Sequence, residues 1–306
     1  MNILISSMDS ELFNLIDRIG EREFVGTVVN IFDKVINVET SLPSSLITIA
    51  NTQVISAPFM LKISDENDFN HLKQSVDIGD TFYFDEKGQI SVNNDRLIFC
   101  SSTRWQCLLP LTEVNGSKLV DMLKEVNSFL RNEGKSGGIL NAYLSRATND
   151  NEDLKFNSIY DNYFRQLLQQ LSEQFDGDNL KKLIGLGVGL TPSGDDFIVG
   201  VLATLYSYDT SRQFINGIKS QISKESILGK TTRVSTHMLT FALDGYFNEA
   251  LLNLFSEKKQ IDRSLKQLKS IGSTSGTDML SGVSFALEQL IKEFKRRDQF
   301  DYKSFD

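Results

Sequence analysis

Cysteine and histidine are scarce in this 306-residue chain: Cys100, Cys107, His71 and His237 are all it has. With no second cysteine pair and no His/Cys spacing of the metal-ligand kind, a zinc site or a disulfide framework is excluded. Two reduced thiols with packing roles are expected instead. No run approaches the roughly 18 apolar residues of a spanning helix, and the opening MNILISSMDSELF lacks the basic start and long apolar core of a signal peptide. A cytoplasmic protein without a membrane partner is therefore expected. Positive charge is in deficit, 32 basic against 40 acidic residues for a net charge of -8, which argues against a general nucleic-acid surface.

What is present is the composition of a soluble globular protein, 40% hydrophobic and 24% charged. Residues 10–19 carry apolar positions at helical spacing up to Gly20. From Phe24 the period changes to two, in FVGTVVNIF, KVINVET, SLITIAN, PFMLKIS and onward to WQCLLPL, with turns at Asp85 to Gly88 and at Asn93-Asn94. That predicts seven to nine strands in a small barrel or sandwich, with Trp105 in its core and His71 on its surface. Strand signals stop near residue 115, so the domains are placed at 1–115, β-rich, and 116–306, mostly α-helical. The fold class is α+β. In the second domain helices are expected over 117–132, 158–175, 197–206, 211–223, 232–256, 262–270 and 275–297, with a glycine turn at 134–140 and a polar loop at 147–152.

Two stretches of the helical domain are not explained by helix formation alone. Gly185 to Leu202 reads GLGVGLTPSGDDFIVGVL, and Gly272 to Leu287 reads GSTSGTDMLSGVSFAL. Both contain Ser-Gly-x-Asp-x-x-x-Gly, first at Ser193, Gly194, Asp196 and Gly200, then at Ser275, Gly276, Asp278 and Gly282, a constant offset of 82. Thr191 or Ser193 can cap the first helix, Pro192 suits a first turn, and Ser-x-x-Asp resembles a capping box. Glycine-lined helix starts with open amides bind anions, so two of them, related by an internal pseudo-twofold, predict one polar cleft.

The nucleotide-loop alternatives fail on sequence. Gly189 and Gly194 have Walker spacing, but Asp195 and Asp196 stand where Lys and Ser/Thr belong, and Pro192 occupies the third glycine position of a dinucleotide fingerprint. Asp195 and Asp196 are read as catalytic candidates: a base, a group orienting an amine, or, with Asp278, ligands of a divalent metal. The competing reading is that they only complement the helix dipole. TTRVSTH, residues 231–237, places Arg233 and His237 one turn apart, where Arg233 suits a bidentate anion contact and His237 a hydrogen bond, or each a structural role. Gly189, Thr191, Ser193, Gly194, Thr274, Ser275, Gly276 and Asp278 complete the candidate binding set.

GLGVGLTPSGDDFIVG, TTRVSTHML and GSTSGTDMLSG together resemble the AllH family, a subunit of oxamate carbamoyltransferase; the motifs span about a hundred residues of the C-terminal half. The resemblance implies interconversion of oxalurate plus phosphate with oxamate plus carbamoyl phosphate, small anionic substrates, and further carbamoyltransferase subunits as partners. It implies no redox or organic cofactor, leaving a divalent metal at Asp195 and Asp196 as the one alternative. The other functions considered are a non-catalytic anion-binding subunit and a metal-dependent hydrolase using the aspartates.

Overall fold

Alternating apolar residues build a closed sheet in residues Met1–Leu108, the first of two units, the second being Leu109–Asp306. The structure is a computed structural model and describes residues 1–16, 24–40, 46–84, 89–99, 103–109, 111, 116–146, 160–256 and 261–303. The expected turn at 85–88, the loop at 147–152 and Cys100 lie outside the described residues.

The first unit runs β1 (Asn2–Asp9), α1 (Ser10–Ile16), β2 (Phe24–Ile31), β3 (Val35–Glu39), β4 (Leu46–Ala50), β5 (Met60–Ile63), α2 (Glu66–Ser75), β6 (Thr81–Phe84), β7 (Ile90–Val92), β8 (Asp95–Ile98) and β9 (Thr103–Trp105). Hydrogen bonding follows the order β5-β4-β3-β2-β6-β7-β8-β1-β9, and β1 also pairs with β5, with Ile5 opposite Ile63. Eight strands thus close a ring, which leaves the sheet no long open edge. β1 runs parallel to β8 at Asn2–Leu4 and parallel to β9 at Ser7–Asp9. Ile3, Ile36, Ile49, Leu61, Phe82, Val92 and Leu97 fill the core at 0–1% exposure.

Two elements of this unit were not expected. β1 lies in an N-terminal stretch whose short alternation gives little strand signal, although Ile3, Ile5 and Met8 are buried. α2 looks polar because only Phe69 and Leu72 bury; it forms because Asp65 accepts from the Asn67 and Asp68 amides at its start. His71 on that helix is 45% exposed and lies 3.0 Å from the buried Asp95. Cys107 is a packing thiol that donates to Asp9 at 3.1 Å, and burial pushes its pKa up.

The second unit is helical among the described residues: α3 (Gly116–Glu133), α4 (Leu140–Ser145), α5 (Asp161–Glu173), α6 (Gly177–Leu180), α7 (Ser193–Ser207), α8 (Arg212–Gln221), α9 (Lys224–Ile227), α10 (Arg233–Leu243), α11 (Glu249–Phe255), α12 (Ile261–Lys269) and α13 (Ser275–Lys303). α7 is buried on every side, all but Tyr206 of its residues being covered, and it packs most extensively on α13, which also packs on α3. A helix apolar all round belongs in the middle of a bundle. The single helix expected over 232–256 is instead two. Gly245, at φ 87, ends α10, and Asn248 starts α11 by accepting from the Leu251 amide at 3.0 Å. No helix among the described residues is long and apolar enough to cross a membrane.

Candidate functional site

Two helix starts meet in the second unit, and glycine is what lets them. In the loop before α7, Gly185 has φ 76, and a β-carbon on it would lie 2.0 Å from the carbonyl oxygen of Lys230. The loop then reaches the N-cap position at Pro192, and no side chain caps the helix there. The expected capping role of Thr191 or Ser193 is therefore not found. Thr191 Oγ1 instead lies 2.9 Å from Ser275 Oγ, at the start of α13. The amide of Gly194 donates to Leu186 O at 2.8 Å and that of Gly276 to Ile271 O at 3.1 Å, so each loop closes on its own helix.

The repeat in sequence is a repeat in space. A β-carbon on Gly200 would lie 1.9 Å from Met279 O, and one on Gly282 would lie 2.0 Å from Phe197 O. The offset of 82 maps Gly200 onto Gly282 and Phe197 onto Met279, so the two contacts are one contact with the roles exchanged, as at a twofold axis. Phe197 and Met279 directly follow Asp196 and Asp278. The close crossing of α7 and α13 therefore brings those two carboxylates, themselves twofold equivalents, to one place.

The three acidic side chains are all 0% exposed, yet they are treated differently. Asp195 is fully engaged: it accepts from the Gly185 amide at 2.8 Å and from the Thr231 hydroxyl, which ties the glycine loop to the segment before α10. Burial raises its pKa, and those donors with Ser235 pull it back. Asp278 accepts from the Ile139 amide at 2.8 Å through Oδ1, while Oδ2 has no hydrogen-bond partner. Burial pushes its pKa up to about 7 against the opposing pull of Ile139, Ser193 and Thr274. Asp196 has neither oxygen bonded. Burial and then the charge of Asp278 hold it well above the usual carboxylate range, and the hydroxyls of Ser275 and Thr191 oppose them.

Around the pair, Ser193 is 5% exposed, Thr191, Thr274 and Ser275 are half-buried, and Gly189, Gly272 and Ser273 are exposed. Gly194 and Gly276 are buried, each against a carbonyl of the preceding segment, Leu183 O and Leu268 O. Arg233 is the exposed first residue of α10, and His237, one turn on, is half-buried with its ring 4.7 Å from that of Phe241. Their helix is joined to the glycine loop by Thr232, whose hydroxyl donates to Leu190 O and accepts from the Ser235 amide.

Residues 135–139 belong to the site more firmly than their sequence indicates. A β-carbon on Gly138 would lie 2.2 Å from Asp278 Oδ1, so only glycine lets the Ile139 amide reach that carboxylate. Lys135 bonds across to the same helix start, its amide to Thr277 Oγ1 at 3.1 Å and its Nζ to Gly272 O at 3.0 Å. The Gly137-Gly138 pair was the available signal, but a glycine turn accounts for it equally well in sequence. Among the described residues no group of three or more His, Cys, Asp or Glu suited to a metal occurs. Oxygen donors for a smaller set are present in Asp196 and Asp278, whereas both oxygens of Asp195 are engaged.

Residues 183–287 match the family described as oxamate carbamoyltransferase subunit AllH, and residues 5–105 match the AllH family N-terminal domain. No solved structure matches the chain. The two matches fall one in each unit, that over residues 183–287 enclosing both Asp196 and Asp278, and the chain belongs to the AllH family.

Proposed function

We propose that this chain supplies the substrate site of an oxamate carbamoyltransferase, with the reaction centred on the starts of α7 and α13. The observation that carries the reading is the pair Asp196 and Asp278, brought together by a duplicated helix start and left with three unbonded oxygens in a fully buried place. Side chains that fold stability alone would select are hydrogen-bonded when buried; unsatisfied ones mark a site that a ligand completes.

In the reaction a phosphate oxygen forms a bond to the carbamoyl carbon of oxalurate as the bond from that carbon to the oxamate nitrogen breaks. The departing nitrogen takes up the proton that hydrogen phosphate gives up. No electron changes hands, so the site has to hold two anions in line and balance their charge. The hydroxyls of Thr191, Ser193, Thr274 and Ser275 and the exposed backbone around Gly189 supply donors, and Arg233 at the head of α10 supplies a cation for a carboxylate or phosphate. Asp196 and Asp278 face the reacting group. Asp195, bonded to Gly185 and Thr231, is assigned to positioning the glycine loop.

The test is carbamoyl phosphate formation from oxalurate and phosphate by the other carbamoyltransferase subunits with and without this chain. Turnover that requires the chain is expected; equal turnover without it removes the reading. A second reading, an anion-binding subunit without turnover, is favoured by the complete burial of both carboxylates. It predicts calorimetric binding of oxamate or phosphate to an assembly whose turnover is unchanged by Asp196→Asn.

A further inference from the structure

Two acidic side chains left buried and unbonded beside each other require an explanation beyond shape. Removing an ionised carboxylate from water without a partner is strongly unfavourable, and placing a second one beside it is more so. Asp196 and Asp278 meet that penalty whenever they ionise without a cation, one contributing two unbonded oxygens and the other one. The hydroxyls of Thr191 and Ser275 lie close enough to Asp196 to lower its pKa, yet they bond each other at 2.9 Å and neither reaches hydrogen-bond geometry to its carboxylate. The side-chain polar atoms that act on the pair are oxygens, two carboxylates and the hydroxyls of Thr191, Ser193, Thr274 and Ser275. The chain's two cysteines both precede residue 109, and the second unit has a single histidine, His237. Such a donor set selects hard cations over zinc or copper.

We propose that Asp196 and Asp278 together hold one hard divalent cation of the Mg²⁺ or Mn²⁺ class, whose remaining coordination positions meet the anionic substrate. Mg²⁺ is commonly held by one or two carboxylates with substrate phosphate oxygens completing its shell. Asp195 takes no part, because the Gly185 amide and the Thr231 hydroxyl engage both its oxygens. The twofold relation of α7 and α13 gives the ion one carboxylate from each helix, and the glycine contacts at Gly200 and Gly282 hold the helices at the required closeness. The inference deepens the carbamoyl-transfer reading and takes from it only that the ligand above the pair is an anion, which a floor of two bare carboxylates would repel.

The experiment uses Mn²⁺ alone, added to the chelator-treated full chain at about pH 8, on the alkaline side because cation binding requires deprotonated ligands. Binding is followed by electron paramagnetic resonance and by melting temperature. One Mn²⁺ per chain is expected, displaced by Mg²⁺, with a rise in melting temperature. Asp196→Asn and Asp278→Asn should each weaken binding by about tenfold or more, while Asp244→Asn, a surface acid paired with Lys219 and Lys224, should leave it unchanged. Each Asn variant replaces a buried carboxyl by a neutral side chain of the same shape and is expected to fold, as circular dichroism will show; if one does not, the other decides. A folded wild-type chain that binds no Mn²⁺ at about 1 mM, or binding equally tight in both variants, overturns the proposal. Mn²⁺ bound at this pair in an assembly that transfers no carbamoyl group would keep the cation site and remove the carbamoyl-transfer reading. Chelator-insensitive turnover by a chain that binds no Mn²⁺ would do the reverse.

Discussion

The carbonyl oxygen of Phe197 occupies space that a β-carbon on Gly282 would need, at 2.0 Å, and this contact fixes how near α7 and α13 approach. Its twofold counterpart, Gly200 against Met279 O at 1.9 Å, makes the approach symmetric. Because the residues just before Phe197 and Met279 are Asp196 and Asp278, helix spacing and site geometry are one property.

Gly200→Ala and Gly282→Ala should each therefore destabilise the chain by about 1–3 kcal/mol, the range for overpacking. The added methyl groups meet backbone, which cannot rotate away. Urea unfolding measures this. A loss below about 0.5 kcal/mol in both variants would mean that the helices are not held by this contact.

Thr231 donates to a carboxylate that is otherwise served only by the Gly185 amide, with a weaker contribution from Ser235. Thr231→Val leaves a buried Asp195 oxygen without its hydroxyl donor and should cost about 1–3 kcal/mol. Thr231→Ser keeps the donor and should restore most of it. Equal loss in both variants would show that the methyl group matters and not the hydrogen bond.

Asp278 makes a pH-dependent contribution of unusual sign. Its folded pKa, raised to about 7 by burial, exceeds the unfolded value near 3.8, so the folded state binds the proton more tightly. Its contribution is fully present below about pH 4 and is lost as pH rises through about 7. In chelator, the stability of the wild type relative to Asp278→Asn should fall over that interval, by a total on the order of 4 kcal/mol. Burial and the charge of Asp278 shift Asp196 in the same direction. Urea unfolding from about pH 4 to 8 gives the difference. A flat difference would show that Asp278 is ionised throughout.

The rim of the site exposes aliphatic side chains in the loops that flank it, Val188 at 69%, Leu190 at 50% and Leu228 at 64%. Apolar side chains presented by a glycine loop suit contact with another protein surface. For a member of a family named as a subunit, Leu190→Asp should leave the melting temperature of the isolated chain unchanged and weaken its association with the other carbamoyltransferase subunits by about tenfold or more. Sedimentation velocity on the mixed subunits reads the effect; unchanged association would place the subunit contact elsewhere.

The two architectures were legible in the sequence because each has its own apolar period, two up to Trp105 and 3.6 after Ser117. The repeated Ser-Gly-x-Asp-x-x-x-Gly was legible too, and the structure shows what its last glycine is for. β1 escaped because eight residues of alternation at a chain start resemble any short apolar run. The break at Gly245 escaped because Phe241, Leu243 and Phe247 keep the run apolar across it. At the site, the bond from Ile139 to Asp278 joins positions 139 residues apart, and no local pattern encodes such a contact. Ser193 and Asp196 satisfy the local rules of a capping box. Tertiary packing overrode it, drawing the hydroxyls and the carboxylate across to the second helix start.

Turnover by Asp196→Asn bears most directly on the claim that the Asp196–Asp278 pair is the reacting centre. The variant and the wild type are each assembled with the other carbamoyltransferase subunits, assembly is verified by sedimentation, and carbamoyl phosphate formed from oxalurate and phosphate is measured. A fall in kcat of about 100-fold or more is expected, the usual scale for losing a charge-managing group at a reacting centre. An intact assembly turning over within about twofold of wild type would contradict the claim.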